Sequence, residues 1–254
     1  MFSLPLDSFK NWPAPSSFPA LKRAEAHVWI FDLSPSSERF ATLRSRLSPD
    51  ELKRADRFRF EKDQISFASA RGHLRECLGG YLGQDPCALI FQYNSFGKPL
   101  LSSQRSGDLP KLDFNLSHSH DLALIAVTRE GDVGVDIEQI RSSVMGERIA
   151  DRFFSPAEVA SLTRIPAEGQ ADAFFACWTR KEAYIKARGD GLSRSLDTFS
   201  VSLGCEEEPR LLWSKDDPEV STRWQVHRLP VPLGYAGSLV VSTSVASVKR
   251  WLGQ

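Results

Sequence analysis

Hydrophobic positions along the chain fall into two successive sets of the same design. His27 to Leu33 (HVWIFDL) is dense in β-branched and aromatic residues and predicts a strand. Ser48-Pro49-Asp50-Glu51 predicts a helix start: a serine N-cap, proline at the first helical position and acids in the first turn. A second helix is expected from about Phe67 to Leu82. The succession then returns. Val133 to Ile137 (VGVDI) is strand-like, Ser155-Pro156-Ala157-Glu158 is another helix start with Glu158 at the capping-box position, and Phe174 begins a helix ending near Gly189. Ser48 and Phe67 are separated by the same interval as Ser155 and Phe174. Each half closes on apolar strands, Asp113–Leu116 and Ala123–Val127 in the first, Arg223–Leu229 and Ser238–Ser242 in the second. The pattern predicts an internal duplication with its seam near Arg129-Glu130-Gly131-Asp132. The expected fold is α+β, a pseudo-dimer of two similar α/β half-domains, residues 1–131 and 132–254, with a ligand site in the cleft between them. Residues 1–20 are proline-rich and without period, and read as a loose surface arm.

The chain has 254 residues, 41% of them hydrophobic, enough for one large core or two small ones. Basic and acidic residues balance at 32 each, which provides no electrostatic footprint for nucleic acid or an anionic membrane. The longest apolar run, Leu122 to Val127, falls far short of the ~18 residues of a membrane span, and the start lacks the features of a secretory signal. Cys77, Cys87, Cys177 and Cys205 form no C-x-x-C pair and read as reduced thiols of a cytoplasmic protein.

Four stretches carry candidate chemistry. In Gly134-Val135-Asp136-Ile137-Glu138, Val135 and Ile137 face the core while Asp136 and Glu138 point together to the other side. Two carboxylates so close repel unless a cation lies between them, and hard oxygen ligands suit Mg²⁺. A solvated acidic face is the plainer alternative. On the helix containing Trp178 to Lys186, Glu182 and Lys186 lie one turn apart. They form either a surface ion pair of about 0.3–0.5 kcal/mol or a third metal carboxylate with a lysine able to neutralise a phosphate. Phe114-Asn115-Leu116-Ser117-His118-Ser119 ends an apolar strand in hydroxyls and an imidazole, which suits a phosphate and equally a polar turn. Gly97-Lys98-Pro99 presents a lysine on a stiff turn, and Arg54, Arg57, Arg59 and Arg71 lie on or beside the first-half helices among balancing acids.

Taken in chain order, the four stretches together with Phe153-Phe154-Ser155-Pro156-Ala157-Glu158 and the extended pattern Trp178-x-x-Lys181-Glu182-Ala183-x-x-Lys186-x-x-Gly189-x-Gly191-Leu192 resemble the 4'-phosphopantetheinyl transferases of the surfactin-synthetase-activating (Sfp) type. The resemblance runs from about Ser48 to Val201, and the length matches the pseudo-dimeric, monomeric subfamily rather than the trimeric carrier synthases of half the size. It implies an enzyme that moves the 4'-phosphopantetheine arm of coenzyme A onto a serine of an apo acyl, peptidyl or polyketide carrier protein, releasing 3',5'-ADP. It further implies that Asp136, Glu138 and Glu182 hold Mg²⁺, and that Glu182 takes the serine proton directly or through a water. Lys186 would stabilise the leaving phosphate; Gly97, Lys98, Pro99, Ser117 and His118 would meet the coenzyme's phosphates; Arg54 and Arg71 would clamp the 3'-phosphate. Glu158 matches a family acid that assists either the metal site or the base. Coenzyme-binding contributions then fall in residues 1–131, and metal and catalytic residues in 132–254. Two other classes use the same residues: a Mg²⁺-dependent phosphohydrolase without a protein acceptor, and a non-catalytic binder of coenzyme A or carriers.

Overall fold

The structure is a computed structural model that describes residues 6–102, 111–143, 149–189, 191, 194–204 and 208–253. The first half opens with strand β1 (Glu25–Asp32), followed by helices α1 (Ser37–Ser45), α2 (Pro49–Ala55) and α3 (Glu61–Leu82). A hairpin of β2 (Phe91–Tyr93) and β3 (Pro99–Leu101) leads to the antiparallel pair β4 (Asp113–Ser119) and β5 (Leu122–Thr128). The second half repeats this order. It runs through β6 (Val133–Gln139), α4 (Ile149–Phe153), α5 (Pro156–Thr163), α6 (Ala167–Arg188), β7 (Phe199–Val201) and β8 (Leu211–Ser214). After the short helix α7 (Val220–Arg223) come β9 (Trp224–Arg228), β10 (Tyr235–Ser242) and β11 (Ser247–Leu252).

The sheets carry the duplication as well. β1 pairs with β5 and β5 with β4; correspondingly β6 pairs with β10 and β10 with β9, all antiparallel. Both expected helix starts are capping boxes, with the Ser48 N–H donating to Glu51 (3.0 Å) and the Ser155 N–H to Glu158 (2.7 Å). Each capping glutamate also meets a buried base on the long helix behind it: Glu51 meets Arg75 at 2.6 Å, Glu158 meets Lys181 at 2.8 Å. α3 and α6 each have 22 residues, and each ends on a glycine in the left-handed region, Gly83 (φ 65°) and Gly189 (φ 74°).

Four layers result. α3 packs Leu74 and Leu78 on Trp29, Phe31 and Ile125 of the first sheet, whose order is β11-β1-β5-β4. The other face of that sheet (Val28, Ile30, Leu124) meets Val133, Val135 and Leu239 of the second sheet, β6-β10-β9. α6 closes the stack through Phe174, Tyr184 and Ile185 against Val226 and Val240. β6 is an outer strand, and β4 side chains meet its free edge: Asp113 accepts from the Val133 N–H (3.2 Å), Asn115 from Val135 (2.9 Å) and Ser119 from Gln139 (3.1 Å). No helix among the described residues is long and apolar enough to cross a membrane.

Several expectations need correction. The N-terminal arm is not loose where it is described: Phe9 and Trp12 are each only 2% exposed in the core between the sheets, and Trp12 Nε1 donates to the Pro230 carbonyl at 2.8 Å. Two aromatic side chains bury enough apolar area to anchor a segment without periodicity. α3 and α6 begin at Glu61 and Ala167, ahead of Phe67 and Phe174, because their first turns are polar and carry no apolar stripe.

Candidate active site

Gly134 sets the geometry of the site. It lies on the face of β6 turned to α6, and a Cβ there would stand 2.1 Å from the Ala183 carbonyl oxygen and 2.3 Å from the Ala187 nitrogen. Only glycine lets the helix backbone approach the strand this closely. Asp136 and Glu138 continue the same face, so they share a cleft with the turn of α6 that bears Glu182 and Lys186. Lys186 Nζ donates to Asp136 Oδ1 (2.6 Å) and to Ser117 Oγ (2.9 Å), and Ser117 Oγ donates to Asp136 Oδ1 (2.7 Å). Ser119 Oγ donates to Glu138 Oε2 at 2.7 Å. A strand of the first half thus meets a strand and a helix of the second at one place.

The electrostatics are those of an under-neutralised acid cluster. Burial pushes the Glu182 carboxyl up to about 7; the charges of Asp136 and Glu138 add to this while Lys186 opposes it. Burial, then Asp136, raises Glu138 as well, against Ser119, Lys186 and Arg141. Asp136 is 2% exposed, and its Oδ2 has no hydrogen-bond partner among the described residues. An orphaned carboxylate oxygen beside two other acids, all hard oxygen donors, fits a divalent cation such as Mg²⁺. Among the described residues no three such groups stand as a ready cage, and the Lys186 ammonium takes the place of a cation on Asp136.

A cleft of about 290 Å³ is lined by Gly97, Lys98 and Pro99 on one wall and by Glu182, Ile185 and Lys186 on the other. Asn94 builds the glycine turn, its Oδ1 accepting from the Phe96 and Lys98 amides (each 2.9 Å), and its Nδ2 donates to the Gly189 carbonyl at the end of α6 (3.0 Å). Lys98 Nζ lies 3.5 Å from Asp113 and 3.4 Å from the Val133 carbonyl, tying the turn to the seam. His118 is exposed at the rim. Desolvation by the surrounding protein, then Lys186 and Arg54, holds its imidazole below the usual range. The Arg54 charge is thus felt at His118, while its guanidinium lies over the Phe67 ring at 5.1 Å.

Two predicted residues already have protein partners. Arg71 is buried and engaged by Glu51 (Nε to Oε1, 2.9 Å), with Tyr93 Oη at 3.3 Å and the Phe91 ring 4.7 Å away. Glu158 is also occupied: its carboxylate takes the Ser155 and Val201 amides and the Lys181 ammonium, so its position is that of a structural pin. Leu192 lies outside the described residues. A larger cavity, about 430 Å³, is lined by Asp172, Thr179 and the Leu229–Tyr235 segment and contains none of the predicted site residues. Sequence reasoning gave no role to Asn94 or Asn115, and counted Ser119 only among hydroxyls suited to a phosphate. The signal for the last two was present in the alternation of polar residues at Asp113, Asn115, Ser117 and Ser119.

Comparisons with known proteins give the chain a family. The profile of the 4'-phosphopantetheinyl transferase superfamily matches residues 132–243, and that of 4'-phosphopantetheinyl transferase, N-terminal, matches residues 32–130, one for each half. The chain is 42% identical over 189 residues to 4'-phosphopantetheinyl transferase HetI of Nostoc sp., covering 74% of this chain and 78% of that protein. It is 37% identical to 4'-phosphopantetheinyl transferase psf-1 of Bacillus pumilus (69% and 74% covered) and 32% identical to 4'-phosphopantetheinyl transferase Sfp of Bacillus subtilis (66% and 70% covered). With both halves matched and identity at this level along most of its length, the chain belongs to the 4'-phosphopantetheinyl transferase superfamily and is an enzyme of that family.

Proposed function

We propose that this enzyme transfers the 4'-phosphopantetheine arm of coenzyme A to a serine hydroxyl of an apo acyl, peptidyl or polyketide carrier protein, with Mg²⁺ required and 3',5'-ADP released. The observation that carries the reading is the meeting of Asp136, Glu138, Glu182 and Lys186 in one cleft between the halves. In the proposed reaction the serine Oγ bonds to the pyrophosphate phosphorus that bears the pantetheine arm. The bond from that phosphorus to the bridging oxygen breaks, and its electron pair leaves with 3',5'-ADP.

Glu182 accepts the serine proton, directly or through a water. In the cleft without an ion its carboxyl lies near 7; a bound cation lowers that value and keeps the carboxylate ionised, as a base must be. Lys186 donates to the leaving phosphate, for which its ammonium must turn from Asp136. Ser117, His118 and Lys98, with the backbone at Gly97 and Pro99, bind the coenzyme's phosphates, and Arg54 serves the 3'-phosphate from the rim. Arg71 backs that region through Glu51 and Tyr93. Asp136, Glu138 and Glu182 would hold the ion, which when bound neutralises charge on the pyrophosphate. The reaction so described needs alignment and charge neutralisation more than covalent participation by the protein.

The test is incubation with coenzyme A, Mg²⁺ and a panel of apo acyl, peptidyl and polyketide carriers, followed by intact-mass analysis. One phosphopantetheine added to a carrier serine, and lost with Asp136→Ala, is the expected result. Unmodified carriers of all three kinds would overturn the proposal.

A further inference from the structure

Resting on the transferase reading above, we propose that Ser119 is a positioning residue for the divalent-cation site: from across the seam it holds Glu138 beside Asp136. β4 and β6 are outer strands of two different sheets, and they lie side by side. In a continuous sheet, backbone carbonyls would satisfy the free β6 amides. Here alternate side chains of β4 do so at Val133, Val135 and Gln139. Ser119 is the rung at which this pattern reaches the chemistry.

Its hydroxyl is used in both senses. The oxygen accepts the Gln139 amide at 3.1 Å, and the single hydroxyl proton goes to Glu138 Oε2 at 2.7 Å. The backbone bond therefore fixes where the proton points. Among the described residues this is the hydrogen bond that Glu138 receives from a side chain. Glutamate is long and flexible, and a competitor is near: exposed Arg141, just beyond the strand, attracts the Glu138 carboxylate electrostatically. Asp136 is secured twice, by Ser117 and Lys186, whereas Glu138 depends on Ser119. Without that hydroxyl, Glu138 turns toward Arg141 and the cluster loses one of its three acids.

Mn²⁺ binding in the presence of coenzyme A, followed by electron paramagnetic resonance on the full chain, tests this without reference to turnover. Ser119→Ala is expected to weaken Mn²⁺ binding about tenfold, the scale for losing a group that orients a metal ligand. Ser119→Thr, which keeps the hydroxyl, stays close to wild type. Ser119→Ala combined with Glu138→Gln binds no worse than Glu138→Gln alone, and Ser119→Ala combined with Arg141→Ala recovers part of the loss. Losses that add in the Ser119/Glu138 pair, or a folded Ser119→Ala protein with wild-type Mn²⁺ affinity, would overturn the role of Ser119 alone. If Ser119→Ala fails to fold, Ser119→Cys replaces it in the same comparison, with the same outcomes deciding. A wild-type protein that binds no Mn²⁺ with coenzyme A would instead overturn the transferase reading, and this inference with it.

Discussion

At the scale of single residues, Glu182 governs behaviour with pH. Its carboxyl lies near 7 in the native state against 4.5 for an ordinary glutamate, because burial and two like charges outweigh one lysine. A raised acid binds its proton more tightly when folded. The stabilisation is therefore complete below about pH 4.5 and is lost as pH climbs through 7. Without divalent ions, the thermal stability of wild type should fall between pH 5 and 8 by of order 2 kcal/mol more than that of Glu182→Gln. Mg²⁺ should restore much of the loss at pH 8. Calorimetric scans showing the same pH slope for both proteins would disprove this account. In transfer assays Glu182→Gln should lose about 10²-fold or more in turnover, with coenzyme A affinity within a few-fold of wild type; the reverse split would remove its role as base. Asp136, Glu138, Glu182 and Lys186 were legible because strand and helix periods fix which neighbours share a face. The engagement of Arg71 was not: Glu51 comes from a different helix, and spacing alone does not reveal a pairing made by tertiary packing.

At the scale of elements, the contact of α6 with β6 is the most demanding joint. Gly134→Ala would press a methyl group into the Ala183 and Ala187 backbone, which cannot yield as a flexible side chain would. We expect a loss of about 3 kcal/mol or more, the upper end for overpacking, with coenzyme binding weakened in parallel. Gly83→Ala is the informative contrast, because open space surrounds it and only the left-handed backbone (φ 65°) resists; about 1–2 kcal/mol is expected. Chemical denaturation of the two variants compares them directly, and equal losses would contradict the close-approach argument. Lys181→Met should cost about 3–5 kcal/mol by leaving Glu158 buried without its base, while the folded protein keeps its turnover number. A large turnover defect at unchanged stability would instead return Glu158 and Lys181 to the chemistry. Helix starts could be read from the chain because a capping box is local. α1 and β11 could not: α1 buries a single residue, Leu43, and in β11 the adjacent charges Lys249 and Arg250 break the apolar alternation.

At the scale of the whole molecule, the duplication holds for the main strands and helices and is one-sided in its chemistry. Trp29 precedes Ser48 by the same interval that separates Asp136 from Ser155, and Phe31 likewise corresponds to Glu138. Counted back from the closing glycines, Glu76 corresponds to Glu182 and Gly80 to Lys186. Glu76 is paired with Arg39 at 2.6 Å, and Gly80 lies beneath the Phe18 ring, which a Cβ would meet at 2.6 Å. On that side aromatic side chains stand at two of the three acid positions, and the third acid, Glu76, is held by Arg39. Calorimetric titration should therefore find one coenzyme A per chain in the presence of Mg²⁺; two equivalent sites would contradict the one-sided arrangement. The two-fold design was legible because it is written in repeated local signals, whereas the presence of a site on one side alone depends on which residues face each other after folding.

The return of β11 to lie parallel to β1 has a consequence for the order in which the protein can form. Glu25–Ile30 leaves the ribosome long before Ser247–Leu252, its partner along one edge. The first half must wait, one strand short, while nearly all of the second is synthesised, and during that delay its open edge is available to whatever chaperone or neighbouring chain reaches it first.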